Sequence, residues 1–552
     1  MKKITLLLLL LPFLGLSQVQ IGQDILGLSE SHQLGADVSI SDNGNIIAIG
    51  VPGDDPNGNA SGSVKVFSNI NGDWIQIGEN INGESESDFF GLALDLSSDG
   101  SILAIGAHFN GDSGNVRIFE NQSGVWTQIG QDIDGESIGD QSGWSVSISS
   151  DGTIVAIGAP ENFNGGSAGH VRIYENQSGV WTQIGQDIDG EANGDKSGRS
   201  VSLSLDGNIV AIGASNNDEN GFHSGHVRIY ENQSGVWTQI GQDLDGYAQN
   251  DNFGRSVSLS SDGYTVAIGS RLSSSPPFSG YAKVYKLQDN SWIQVGLDLN
   301  GDGVSDHFGW DIKLSSNGNL LAVSAFLNDS NGSDSGQIKI FYFNSINWIQ
   351  VGDDILGEDI GVALGYSIDM TSDGNSIITG TPFFDGNVLN AGLARVFSIA
   401  SELAIIEVVD DIQGNLNGIN VTATQLNSIN GVSGAIEGVN YTTALDNGTF
   451  VDENNPTTSE IQAIIDQVND ALSLNENDVF NFKIYPNPTK TQFTIQLDPS
   501  VQLEKVSIYN TLGQVVLTSE ENTINTSKLS SGSYIVDILT NKGKSSKKLI
   551  IE

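Results

Sequence analysis

Self-similarity dominates this sequence and leaves few architectures open to it. The segment Trp126-Thr-Gln-Ile-Gly-Gln-Asp-Ile-Asp-Gly recurs at Trp181 and, with Leu for Ile, at Trp237. Looser copies start at Trp74, Trp292 and Trp348, and a copy without the Trp starts at Gln18. The starts 18, 74, 126, 181, 237, 292 and 348 lie 52 to 56 residues apart. A fixed period of this length marks a supersecondary unit that buries its apolar face only by stacking on its neighbours.

Unit three shows what each copy contains. Trp144-Ser-Val-Ser-Ile-Ser-Ser-Asp-Gly is followed by Thr153-Ile-Val-Ala-Ile-Gly-Ala-Pro, a variable loop, and Gly169-His-Val-Arg-Ile-Tyr-Glu-Asn-Gln-Ser-Gly-Val-Trp181. We read four strands: A (Ser145–Ser149), B (Thr153–Ala159), C (His170–Glu175) and D (Val180–Ile184). Strand A alternates apolar and small polar residues. Strand B is an almost unbroken apolar run, as a strand covered on both faces requires. Asp151-Gly152 is a hairpin signal between A and B, and Asn176-Gln-Ser-Gly turns C into D.

Four antiparallel strands repeated seven times predict an all-β fold, a seven-bladed β-propeller over 18–400. A linear β-solenoid would have shorter coils. The count also predicts how the ring closes. The chain opens with a lone D strand at Val19–Asp24 and ends the array with an A-B-C set, Tyr366–Met370, Ser376–Thr379 and Leu393–Ser398. The N-terminal strand is therefore expected to complete blade seven and remove the open edge. Strand direction alternates, so A–B and C–D turns share one face, while B–C loops and D–A connections share the other. That second face holds all the variation, and variable loops on one face are where repeat proteins bind.

Composition narrows the function. Asp+Glu is 67 against Lys+Arg 23, a net charge of −44. A nucleic-acid ligand would demand the opposite sign, and anionic lipid is disfavoured for the same reason. Gly is 67 of 552 with only 11 Pro, which reads as many tight turns. There is no Cys, so disulfides, Cys-ligated zinc, a thiol nucleophile and an N-terminal lipid-modified Cys are excluded. Residues 1–17 read as a secretory signal: Lys2 and Lys3, the apolar run from Leu6, and small Gly15 and Ser17 before Gln18. No later segment is long and apolar enough to be a transmembrane helix of the mature chain. The acid excess stops near residue 480. Lys483–Glu552 has eight Lys and six acids, whereas Gln18–Phe482 has 13 basic and 61 acidic residues.

With Phe253-Gly254-Arg-Ser-Val-Ser-Leu-Ser, Phe308-Gly309, Ile157-Gly-Ala-Pro160 and the recurring Gly-x-Val-Arg-Ile-Tyr in view, the units resemble the FG-GAP repeats of integrin-α-like propellers. The resemblance covers about residues 18–400. It implies a seven-bladed ring and roles in adhesion or ligand binding. Calcium-binding members carry D-x-[DN]-G-D-G-x-x-D between strands A and B. Here that turn is only Ser-Asp-Gly or a close variant, so no such loop carries over.

One stretch elsewhere has calcium spacing. Asp298, Asn300, Asp302 and Asp306 occupy positions 1, 3, 5 and 9 of a turn with Gly303 at 6, the hard oxygen set Ca²⁺ uses. Position 12 is Gly309 in place of the EF-hand Glu. The other reading is an acidic turn whose side chains cap backbone N–H groups. The variable face also carries aromatics: Phe109, Phe163, Phe222, Phe278, Phe326 and Phe383. Beside Asn and Asp they could stack on sugar rings, or pin each loop to its blade. His170 and His226 share one repeat position, which points to structure. No catalytic constellation stands out.

Residues 401–481 break the repeat and read as a spacer with one helix, opened by Thr457 as N-cap with Glu460 at N3 and carrying Ile461, Ile464, Ile465 and Val468 on one face. Residues 482–552 read as a small antiparallel sandwich. The order Tyr485-Pro486-Asn487-Pro488, Lys505-Val-Ser-Ile-Tyr-Asn-Thr-Leu-Gly513, Gly532-Ser-Tyr534 and Lys547-Lys548-Leu-Ile-Ile resembles the type A C-terminal sorting domain of the type IX secretion system. That resemblance implies the secretion machinery as partner and a destination outside a Gram-negative cell or on its outer-membrane surface. The expectation is a secreted or surface-displayed binding or adhesion protein for a glycan or protein ligand. A polysaccharide-degrading enzyme with its site on the loop face, and a structural matrix component, are the alternatives.

Overall fold

The computed structural model describes residues 19–162, 167–272, 278–386, 388–400, 403, 422–429, 432–436, 439, 441, 445, 458–472, 482–510 and 514–551. The leader expected over 1–17, Phe163, the Thr457 cap and Gly513 lie outside the described residues. The chain divides into two compact units, 1–407 with 428–430, and 408–427 with 431–552.

In the first unit the repeat forms seven antiparallel sheets, each ordered A-B-C-D. In blade 3, A is Ser145–Ile148, B is Ile154–Ala159 and C is His170–Asn176. Strand D comes in two pieces, Trp181–Gln183 and Ile188–Asp189, where the sequence suggested one run. The break falls at Gly185, whose φ is +76°. A Cβ there would lie 2.7 Å from the Trp237 ring of blade 4. Only glycine meets both demands.

Strand A of every blade packs on strand A of the next, and the last on the first. The A strands thus line a central channel. Strand B is covered on both sides, as its composition predicts. Val155 and Ile157 pack with Val116 and Ile118 of blade 2, while Ala156 joins the layer containing Val210, Ile212 and Trp237 of blade 4. The core is a set of such inter-blade layers.

Two rings of hydrogen bonds join the blades. On the channel side, the small polar residue of strand A accepts a backbone N–H from the next blade: Ser147 from Leu203, Ser202 from Leu259, Ser258 from Leu314 and Asp95 from Ile148. This is why strand A alternates as it does. At the rim, the Trp181 indole donates to the Ile129 carbonyl of the preceding blade at 2.9 Å, and Trp237 to Ile184 likewise. The Trp of the repeat is an inter-blade staple.

The ring closes through the N-terminus. Val19–Gln20 pairs with Ser398 and Phe397, and Ile25–Leu26 with Ala394 and Leu393, both antiparallel on strand C of blade 7. Arg395 grips both carboxylate oxygens of Asp24 at 2.8 Å.

The second unit contains the helix Thr458–Leu472 and all but the last residue of the helix Ala423–Ser428. Ile461 and Ile465 are buried, the face the sequence indicated. Lys483–Tyr485, Gln492–Gln496 and Thr523–Asn525 form one sheet, and Leu503–Tyr509, Val515–Ser519, Gly532–Thr540 and Gly543–Ile551 a second. Phe493, Ile495 and Ile524 meet Val506, Ile508, Val536 and Leu549 between them, giving the antiparallel sandwich. Asn487 ties its ends together, donating to the Lys548 carbonyl (2.7 Å) and accepting the Ile550 N–H (2.8 Å).

Candidate functional site

Strand A enters the channel at the loop face. Its entry residue is, blade by blade, Ala36, Leu92, Trp144, Arg199, Arg255, Trp310 and Tyr366. With the residue that follows each, they line a funnel of about 340 Å³ on the ring axis. That is the lower end of the size range of small-ligand sites. Blades 3 to 7 supply the aromatic and charged wall, while blades 1 and 2 contribute Ala and Leu.

The chain has seven arginines. Four stand on strand C and meet acids: Arg117 with Glu84, Arg172 with Glu136, Arg228 with Glu191, and Arg395 with Asp24 and Glu358. Of the other three, Arg199 and Arg255 line the funnel and Arg271 lies close enough to act on both charges. Among the described residues, the ion pairs include none of these three. Arg199 lies 4.2 Å from the Trp144 ring centre and Arg255 3.9 Å from that of Trp310. Arg271 donates to Asn252 Oδ1 at 3.0 Å, and Arg255 Nε has no hydrogen-bond partner. Burial, then Arg255 and Arg271, push the Arg199 guanidinium down to about 9. Asp311 acts on Arg255 and Glu161 on Arg199 as more distant counter-charges, and stacking on an aromatic face offsets about 0.5–2 kcal/mol of a cation's desolvation. In a chain with 67 acids, Arg199 and Arg255 give this mouth a local positive charge.

Aromatic rings flank them. Trp310 lies 4.5 Å from Phe326 and 5.5 Å from Tyr366, which in turn lies 5.3 Å from Phe383. On the other wall His108 lies 4.9 Å from Trp144 and 4.2 Å from Phe109. Burial lowers His108 and His307 to about 4, helped by Arg199 for the first and by Arg271 and Arg255 for the second. Both are neutral near pH 7, so the positive charge of the funnel is arginine charge. At the floor, Asp37 accepts the Leu94 N–H and Asp311 the Ile368 N–H, each from the next blade. Burial raises Asp37 to about 7 and Asp311 to about 6.

The expected aromatics divide. Phe326 and Phe383 pack behind the funnel residues Trp310 and Tyr366, and Phe109 packs on His108 beside Trp144. Phe222 and Phe278 are exposed on their loops, Phe222 stacked on His223 at 3.8 Å. The arginines were missed in the sequence because they stand at a position that differs from blade to blade. The usable signal was that variation itself, at the residue just before the recurring Ser-Val-Ser of strand A.

The calcium-spaced residues resolve into repeat-wide duties. Asp298 accepts from Gln294 at 2.8 Å, as Asp132 does from Gln128 and Asp354 from Gln350. Asp302 pairs with Lys339 at 2.7 Å, the counterpart of the Glu–Arg pairs of other blades. Asp306 accepts the Gly303 N–H and the Asn328 amide, as Asp195 does from Ala192 and Asn217. Asn300 lies on the short second piece of strand D and donates to the Asp298 carbonyl. A Ca²⁺ ion would have to displace Lys339. We therefore expect the melting temperature to be the same in Ca²⁺ and in chelator; a clear rise with Ca²⁺ would restore the four-ligand reading.

In the sorting region, Tyr485 is exposed beside Lys547 and Lys548, and Tyr534 donates to the Ser530 carbonyl at 2.8 Å.

Comparison with known proteins bears first on this region. A family model for the secretion system C-terminal sorting domain matches residues 483–552. The protein is thus of the secreted or outer-membrane-surface class, a client of the type IX machinery. No helix among the described residues is long and apolar enough to cross a membrane. Over 78 residues the chain is 36% identical to ulvan lyase NLR42 of Nonlabens ulvanivorans, 13% of this chain and 14% of that enzyme. Among solved structures, candidate 6-phosphogluconolactonases of Bacteroides uniformis and Bacteroides fragilis align at TM-scores of 0.42 and 0.41, with 14% and 15% identity. They cover 58% of this chain and 85% and 83% of theirs. Deleting 483–552 is expected to leave the protein in the periplasm, read by cell fractionation; surface display of the truncated chain would contradict the sorting role.

Proposed function

We propose that this is a secreted or surface-displayed binding protein whose propeller takes an acidic glycan, one bearing carboxylate or sulfate groups, into the axial funnel. The observation that carries this reading is the pair Arg199 and Arg255, in no ion pair among the described residues and set on the faces of Trp144 and Trp310, with Arg271 nearby. Guanidinium forks match carboxylate and sulfate oxygens, and flat indole and phenol faces suit sugar rings. We also propose kinship with FG-GAP-like repeats and their adhesive roles. In support, Phe253 and Phe308 of the Phe-Gly pairs are fully buried between blades.

A second reading, a polysaccharide-degrading enzyme, draws on Asp37 and Asp311, whose raised carboxyls at the funnel floor suit proton transfer near neutral pH. The ulvan lyase match spans too little of that enzyme to bear on the choice. One assay separates the readings. The secreted chain is incubated with acidic and neutral polysaccharides, and protein depletion and release of new sugar ends are followed together. Retention by acidic polymers alone, without new ends, is the expected result. New ends would establish the enzyme, and retention indifferent to polymer charge would reject the arginine site.

A further inference from the structure

We propose that blades 3 and 4 each hold a first-row divalent cation of the zinc type, on His170 and His226. This goes beyond the funnel, which uses neither residue. His170 gathers Glu136 and Asp187; His226 gathers Glu191, Glu219 and Asp243. Within each group one ligand atom per residue lies within 4.8 Å of every other.

The imidazoles point to a ligand. Both are buried at the start of strand C, and neither Nδ1 has a hydrogen-bond partner. His226 Nδ1 stands 3.7 Å from Glu191 Oε2. His170 Nδ1 stands 4.0 Å from Glu136 Oε2 and 4.0 Å from Asp187 Oδ2. These gaps are too wide for hydrogen bonds. Two tetrahedral ligands each about 2.1 Å from one ion stand about 3.4 Å apart, so these groups need close by only some tenths of an ångström to hold one.

The carboxylates are also aimed. Glu191 presents its other oxygen to Arg228 at 3.4 Å, and Glu136 its other oxygen to Arg172 at 3.9 Å. Asp187 and Asp243 each accept from a glutamine, Gln183 and Gln239, at 2.6 and 2.5 Å. Partners that hold one carboxylate oxygen are what orient metal ligands. Blade 6 shows the metal-free solution to the same geometry. There Gln337 takes the histidine position, and its amide donates to both Asp302 (3.2 Å) and Asp354 (2.6 Å). Imidazole nitrogen among carboxylates selects zinc-like ions over Ca²⁺, which takes oxygen. In blade 4 the ion would tie Glu219 of the B–C loop to the blade.

The test uses the full, untagged chain, stripped with EDTA, desalted and titrated with Zn²⁺. About two equivalents per chain should bind, one per blade. His170→Gln and His226→Gln install the residue of blade 6, so folding should hold, checked by circular dichroism and melting without metal. Each variant should lose one equivalent and the double variant both. Co²⁺ should give visible absorption bands that vanish in the double variant. Equal Zn²⁺ uptake by wild type and double variant, or no uptake by the wild type, would overturn the proposal.

Discussion

Replacing Arg199 and Arg255 together by glutamine should abolish retention on acidic polysaccharide and leave the propeller as stable as before, or more so. A hydrogen bond to a charged partner contributes about 1.5–3 kcal/mol, so each single variant should bind roughly 10- to 100-fold more weakly. The stability half follows from the same geometry. Among the described residues neither guanidinium is in an ion pair, and Asp311 and Glu161 act on them only from a distance, so removing the charge relieves a desolvation cost and breaks no direct ion pair. The two readouts move in opposite senses only for a ligand site. If the arginines were structural, with Trp144 and Trp310 as their partners, the double variant would melt lower and binding would fall only through unfolding. Wild-type binding should also weaken with added salt, more steeply than that of either single variant. Unchanged retention by the double variant would remove the arginines from the site.

A chain beginning at Ser31 should melt lower by roughly 5 °C or more. It loses both N-terminal strands and the burial of Ile25, which alone is worth about 1.5–3 kcal/mol. It leaves Arg395 with Glu358 alone, where Asp24 had supplied two bonds of 2.8 Å. Blade 1 suffers as well. The Trp74 indole donates to the Ile21 carbonyl at 2.9 Å, and Gln23 bonds the Trp74 backbone in both directions. The bared edge of blade 7, Leu393–Ser398, becomes a template for association. An unchanged melting curve and a monomeric elution profile would show that the ring does not depend on its latch.

The metal proposal and the funnel are independent. His170 and His226 stand on strand C, Arg199 and Arg255 at the entry of strand A. Failure of one leaves the other intact.

The sequence alone determined the strand order, the blade number, the closing strand, the variable face and the sorting domain. Each is written in local chemistry: period-two alternation, Asp-Gly turns, a Trp that returns at a fixed interval, and motifs at both ends of the last sandwich. What the tertiary structure decided was which side chains meet. Residues 144, 199, 255, 310 and 366 are one blade apart in sequence and become neighbours only when the ring closes. Their position varies, so no repeat announces it. The four oxygens at 298–306 have calcium spacing along the chain, but the β-sheet sends each to a different partner: Gln294, Lys339, Asn328 and the turn itself. Spacing along a strand fixes which residues are near in sequence. The register of neighbouring strands and blades fixes where their side chains converge.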